Sequence, residues 1–267
     1  MRTGLVAWLT SMRRSRPAVL LDGSGAGSCR EGAEPGREES STTVDAPSYP
    51  AGRVRRSRTR VCCTAVGRGL GIAGLAGYNW WIVVAWNRRL LQSPDELFSD
   101  LEAVGRPYAR LLSDVDVASG VAILAAILLV GLPGPAGRRR EWWLLVAFAC
   151  AGVLGGLFPY QCPEGLSAAC RSAEWSFALS WRHYMHVIAG IVEFGSASTA
   201  ALLAWRRARG RPGIRPLVHR GVVAVLAVGY PLLAVTYLTG RFGAFVEPVF
   251  FLAFSAVVAA ELAEARS

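Results

Sequence analysis

After residue 68 the chain runs through six stretches almost free of charge, at 69–86, 117–136, 142–160, 185–205, 221–238 and 245–262. A helix needs about 17 to 25 such residues to cross the roughly 30 Å hydrocarbon layer of a bilayer, and each stretch has that length. A soluble helical bundle would carry a polar face at helical spacing, whereas "VAILAAILLVGL" is apolar on every side. Lipid offers the backbone no hydrogen bonds, so long apolar stretches of this kind cross a membrane as helices. The reading is an all-α polytopic membrane bundle of six transmembrane helices occupying residues 66–264. Composition agrees, since 52% of the 267 residues are hydrophobic and only 18% are charged, against about a quarter charged in globular domains.

Residues 1–60 are different in kind. Gly, Ser, Glu, Pro and Arg dominate "DGSGAGSCREGAEPGREESSTTVDAPSYPAGR", and no apolar periodicity persists. A disordered tail is expected there. The short runs "LVAWLT" and "AVLL" are separated by Arg13, Arg14 and Arg16, which argues against a secretory signal. A start site misassigned upstream of Val54 or Val61 would explain the same stretch.

All 29 basic residues are arginine. That usage suggests a GC-rich genome of actinobacterial type. The net charge of +10 does not imply nucleic-acid binding, because the arginines lie in the tail and between apolar stretches rather than along one face interleaved with aromatics. Their distribution instead sets orientation. Counting residues 53–68, the two alternate loops at 137–140 and 206–220, and Arg266, one side holds 16 arginines against 7 in the other loops. The richer side is expected to be cytoplasmic, which places both termini inside a bacterial plasma membrane. Trp80, Trp81 and Trp86 then fall at the outer boundary, and Trp142, Trp143 and Trp205 at the inner one, where such rings prefer to lie.

Two outer loops carry most of the polar content. In residues 87–116 the leucines and aromatics are spaced for one or two short amphipathic helices on the membrane surface. The second loop, "FPYQCPEGLSAACRSAEWSFALSWRHYMH" (158–186), holds Cys162 and Cys170 around Pro163 and Gly165. In an oxidising compartment a disulfide is expected, since this spacing is longer than the two to four residues usual between paired zinc ligands. Cys29, Cys62, Cys63 and Cys150 are expected to stay reduced. Trp175, Phe177 and Trp181 are expected to lie in the interface as part of a lid.

His183 and His186 share a helical face at the outer entrance to the fourth stretch. Glu193 follows two turns deeper, at about 10 Å on a rise of 1.5 Å per residue. An acid at that depth needs a partner, protein or water. Asp114, Asp116 and Glu247 enter their stretches from the same side. For Asp116 and Glu247, helix capping and a functional role are both open. Asp116, His183, His186 and Glu193, with Asn79 beside them, form a candidate outward-facing polar pocket, which could equally be an internal network orienting helices. No P-loop, nucleophile elbow, Rossmann glycine pattern or HExxH is present. No catalytic residue, metal or cofactor is assigned. Gly71, Gly74 and Gly77 in "GLGIAGLAG" predict close helix packing.

Three elements in order, "LLSDVDVASG", "FPYQCPEGLSAAC" and "WRHYMHVIAG", resemble the bacterial domain-of-unknown-function 998 family, six-helix integral membrane proteins distantly similar to the damage-regulated autophagy modulator group. The resemblance covers residues 66–262. Its pattern places an acid just before the first loop cysteine, where this chain has Gln161. It implies the six-helix architecture and no activity. The expected partners are membrane lipids and a membrane protein, with no nucleic acid. The expected function is non-enzymatic binding of such a partner by the outer loops and the polar pocket. A lipid-modifying enzyme using a His/carboxylate site and a proton-coupled transporter using Glu193 are the alternatives.

Overall fold

The computed structural model describes residues 52–87, 90–130, 139–210 and 212–264. Every regular element among them is helical: α1 (Gly52–Tyr78), α2 (Trp81–Trp86), α3 (Ala109–Val130), α4 (Arg139–Leu157), α5 (Ala168–Trp175), α6 (Trp181–Ala208), α7 (Ile214–Thr239) and α8 (Gly243–Glu264), with a 3-10 turn at Ser99–Glu102. Five of them, α3, α4, α6, α7 and α8, are long and apolar enough to cross a membrane. The protein is a multi-pass integral membrane protein.

The helices begin earlier than the apolar stretches do. α3 starts at Ala109 rather than 117, and α7 at Ile214 rather than 221. Backbone hydrogen bonding does not require apolar side chains, so apolarity marks the part of a helix that suits lipid and not its ends. α1 likewise begins at Gly52, so a helix runs through 52–60; the expectation of disorder for residues 1–51 lies outside the described residues. The first stretch is not one helix, because the chain turns at Asn79 and Trp80 before α2. There the Asn79 amide donates to the Leu75 carbonyl and to Ser255 Oγ, both at 2.7 Å, a side-chain bond that competes with helix continuation.

α1 lies along α3, α3 along α4 and α4 along α6, followed by α7 and α8, and α8 returns against α1. The glycines allow the closest approaches. A Cβ on Gly74 would stand 3.0 Å from the backbone of both Ser119 and Ile123. On Gly120 it would stand 2.8 Å from Val153 N, and on Gly156 2.6 Å from Ser113 O. The expected close packing at Gly71, Gly74 and Gly77 is present, with Leu262, Ile123 and Ser119 as the respective neighbours. Phe148, Phe250, Phe254, Ile123, Ile127 and Val257 fill the centre. α8 is the most buried span, with half of its apolar window enclosed.

Among its described residues the loop after α2 does not form surface helices. Only the short 3-10 turn appears there, and Phe98 and Leu101 join Val84 and Leu112 in a second, smaller core. Trp80 and Trp81 pack edge-on against Phe98 at 6.0 Å, so these two rings belong to that core rather than to a boundary belt.

Candidate functional site

The two long loops and the α7–α8 corner are tied into one cap over the same end of the bundle. Val104 N–H donates to Tyr160 O at 2.8 Å, and Asp100 Oδ2 accepts from Leu97 N at 3.0 Å and from Gly165 N at 3.1 Å. Phe242 N–H donates to Asp95 Oδ1 at 3.1 Å. Arg171 on α5 reaches the carbonyls of Thr239 at 3.0 Å and Glu164 at 3.2 Å. Gly240 ends α7 with φ +65°, and the Arg171 guanidinium lies where its Cβ would be, so both backbone and space favour glycine there. Cys162 and Cys170 are joined by a disulfide, with Cα atoms 5.6 Å apart. Ser167 Oγ accepts the Cys170 N–H and caps α5.

Acids crowd this cap. Burial pushes Asp100 up to about 7, against the two N–H bonds it accepts. Burial, and then the Glu174 charge beside it, push Glu164 up to about 9. Burial would also raise Glu174, but hydrogen bonds from His183 and Glu164 outweigh it and hold its carboxyl below the ordinary value. Of the two neighbouring carboxyls, Glu164 is therefore the one that favours its protonated form. His183 is fully buried: Gln161 N–H donates to its Nδ1 at 3.3 Å, and its Nε2–H donates to Glu174 at 3.2 Å. Both ring nitrogens are engaged, so this histidine ties α5 and the loop to α6.

Below the cap, acids from three helices converge. Asp116 on α3 accepts Trp80 Nε1–H at 2.7 Å and shares a hydrogen bond with Glu102 of the 3-10 turn. Burial and the nearby Asp116 charge hold Glu102 well above the usual carboxylate range. Glu247 on α8 accepts the N–H groups of Phe98 and Ser99, so it does cap a helical turn, but that of the distant loop rather than its own. Glu193 on α6 packs 3.7 Å from where a Gly152 Cβ would be, and faces the Tyr78 hydroxyl of α1. It points between helices.

The structure thus distributes the four candidate pocket residues. Asp116 and Glu193 lie in this acid group, together with Glu247. His183 belongs to the cap. His186 donates Nδ1–H to the carbonyls of Gly155 at 2.9 Å and Phe158 at 3.0 Å, which leaves its Nε2 lone pair available. Asn79 is engaged with Leu75 and Ser255. Trp175, Phe177 and Trp181 are 63%, 81% and 63% exposed beside the cap. Glu102, Glu164, Glu174 and Tyr78 were not among the sequence candidates. Glu96 and Asp100, four apart in "DELFSDLE", carried the signal, since that spacing puts both acids on one side of any helical turn. Gln161, the departure from the family pattern, accepts the Ser180 N–H at 2.9 Å. Among the described residues no three His, Cys, Asp or Glu side chains are placed to hold one metal ion.

No curated protein and no solved structure matches the chain. Residues 71–263, which take in the cap, the disulfide loop and the acid group, match the family described as "Protein of unknown function (DUF998)", and the chain belongs to that family.

Proposed function

We propose that this is a six-span protein of the bacterial plasma membrane, α1 being the sixth span, with both termini cytoplasmic and the cap outside. It binds the headgroup of a membrane lipid through its outer loops and the polar residues beneath the cap and catalyses no reaction. The observation that carries this reading is the placement of Asp116, Glu193 and Glu247 from three helices around Tyr78 beneath the cap. Ionisable groups at such depth mark a pathway or binding site by default. The exposed Trp175, Phe177 and Trp181 suit a lid that rests in the interface.

Native mass spectrometry of the detergent-purified protein tests it. A lipid should remain bound, and Glu193→Gln should release it. A protein free of lipid, or retention untouched by that substitution, overturns the reading. Labelling of cysteines introduced near Gly137 and Ser167 in intact cells tests the orientation, and an accessible 137 would reverse it.

One observation favours the enzymatic alternative. His186 is oriented through Nδ1 with Nε2 left as an acceptor, the arrangement a general base requires. In that case His186→Ala and Glu193→Gln should have strongly non-additive effects on headgroup retention, whereas additivity makes them separate polar residues.

A further inference from the structure

We infer that the capped end is anchored in the bilayer boundary at two corners, where Phe177 and Phe242 insert among lipid chains while Arg182 and Arg241 meet the phosphates of anionic lipids. This extends the interfacial lid of the reading above to a second corner, and it holds whatever the cap covers.

The backbone gives the first observation. Among the described residues, three that are not glycine have φ in the left-handed region, and all three are aromatic: Tyr108 at 69°, Phe177 at 55° and Phe242 at 68°. A bulky side chain is uncommon there, because its Cβ crowds the following carbonyl. Tyr108 has a reason inside the molecule, since it packs against the small core of Phe98 and Leu101. Phe177 lies 5.5 Å from the Tyr184 ring yet stays 81% exposed, and Phe242 is 55% exposed.

Hydrogen bonds dictate the conformation at both places. Past the end of α5, Phe177 N–H donates to Glu174 O at 3.1 Å and Ala178 N–H to Ala173 O at 2.9 Å, the paired bonds of a helix end that usually takes glycine. Before α8, Phe242 N–H donates to Asp95 Oδ1 at 3.1 Å, and its carbonyl accepts from Phe245 N and Val246 N, each at 3.1 Å. Glycine would satisfy either turn with less strain. Exposed as they are, the two rings are offset by little within the described residues, and the contact that favours them lies outside the molecule. A backbone outlier of this kind marks a functional position.

The surrounding surface identifies that contact. Trp181 heads the exposed residues Ile188 and Val192 of α6 at helical spacing, and Phe242 and Phe245 likewise head Val249 and Leu252 of α8. Both helices are long and apolar enough to cross a membrane, so these are lipid-facing stripes, and the two corners prolong them to the boundary. Each corner adds an exposed arginine: Arg182, whose guanidinium carbon lies 5.8 Å from the Trp181 ring centre, and Arg241 next to Phe242. A ring beside a long cationic side chain fits the layer where lipid chains meet phosphates, because the ring takes the apolar side and the guanidinium reaches a phosphate.

The full chain, with the photo-crosslinking p-benzoylphenylalanine in place of Phe177 or of Phe242, is reconstituted in vesicles of phosphatidylethanolamine and phosphatidylglycerol. After irradiation the adducts are read by mass spectrometry. Both rings are exposed, so the larger group fits without repacking. The same group in place of Ile191, an exposed residue within the α6 span, gives the yield for lipid contact. Positions 177 and 242 should each carry phospholipid at a yield of the same order. Background yield at either position overturns the two-corner anchor, and so do crosslinks to another polypeptide, a second copy of the chain included. Arg182→Gln combined with Arg241→Gln should lower the phosphatidylglycerol share of the adducts several-fold. An unchanged share overturns the phosphate contact. Lipid retention in detergent, tested above, is read separately, so either result can fail without the other.

Discussion

At the arginine-rich end of the bundle, Arg207 of α6 pairs with Glu141 of α4 and, at 3.0 Å, with Glu261 of α8, while His219 of α7 stands 3.5 Å from the same Glu261. At the capped end Glu102, Asp116, Glu193 and Glu247 gather without such a cation among the described residues. The first group ties four spans through one arginine and one histidine. Among the described residues the second is held by neutral N–H and hydroxyl donors. Acids between the helices therefore meet an arginine at one end and neutral donors at the other.

The largest break in that comparison should come from Arg207→Ala. Removing the cation takes an ion-pair partner from both Glu141 and Glu261, and breaking such a pair typically costs about 3 to 5 kcal/mol, so the detergent-solubilised protein should melt far earlier. A loss below about 1 kcal/mol would show that the arginine-rich end resembles the capped end after all.

Replacing Cys162 and Cys170 together by serine should cost on the order of 2 to 3 kcal/mol. The effect should be local. Hydrogen exchange should quicken in residues 158–180 while the surroundings of Arg207 stay protected, and equal quickening at both ends would mean that they are coupled.

The pH response sharpens the contrast. Asp100, pushed up to about 7, and Glu164, pushed up to about 9, hold their protons more tightly folded than unfolded. The stability they bring is complete below about pH 4, where the unfolded chain is protonated too. It declines as pH rises, ending near 7 for Asp100 and near 9 for Glu164, by up to about 1.4 kcal/mol per pH unit and group. The cap should be proteolysed faster at pH 9 than at pH 6, and the reverse order would contradict burial as the cause.

The smallest effect is expected at Gln161→Ala, which removes the acceptor of the Ser180 N–H and should cost about 1 kcal/mol. Rescue by glutamate, also an acceptor, would show that the acid in the family pattern serves the same loop contact.

Much of the architecture was legible because lipid imposes a length and a polarity that can be counted along the chain. The disulfide loop was legible for a similar reason, since the two cysteines stand eight apart and can meet without distant help. The turn at Asn79 was not, because its cause is a side-chain amide bonded to Leu75 and to Ser255, a residue remote in sequence. The cap was misread for the same kind of reason. Phe98 and Leu101 have the spacing of a surface helix, but α2 and α3 supply an apolar partner that periodicity does not reveal. Of the candidate site, Glu193 stood out by its depth and Asp116 by its place at a helix entrance, where capping and a functional role were both open. Tyr78 did not, because a tyrosine at the end of an apolar helix looks like an interfacial anchor until its neighbours are known.

The approaches at Gly120 and Gly156 have a mechanical consequence. There α3 and α4 touch backbone to backbone, and Gly74 brings α1 just as near to α3, so these three helices form a stiff frame in which no rotamer change can create slack. α7 is attached differently. Gly229 rests on the ring of Phe250, the Tyr230 hydroxyl reaches Phe194 O at 3.1 Å, and only 22% of the helix's apolar window is enclosed, the least of the five spans. Side-chain joints of this sort yield to a rotation about a single χ angle, whereas backbone contacts do not. Any strain placed on the bundle is therefore relieved on the α7 flank, while the α1–α3–α4 wall stands still.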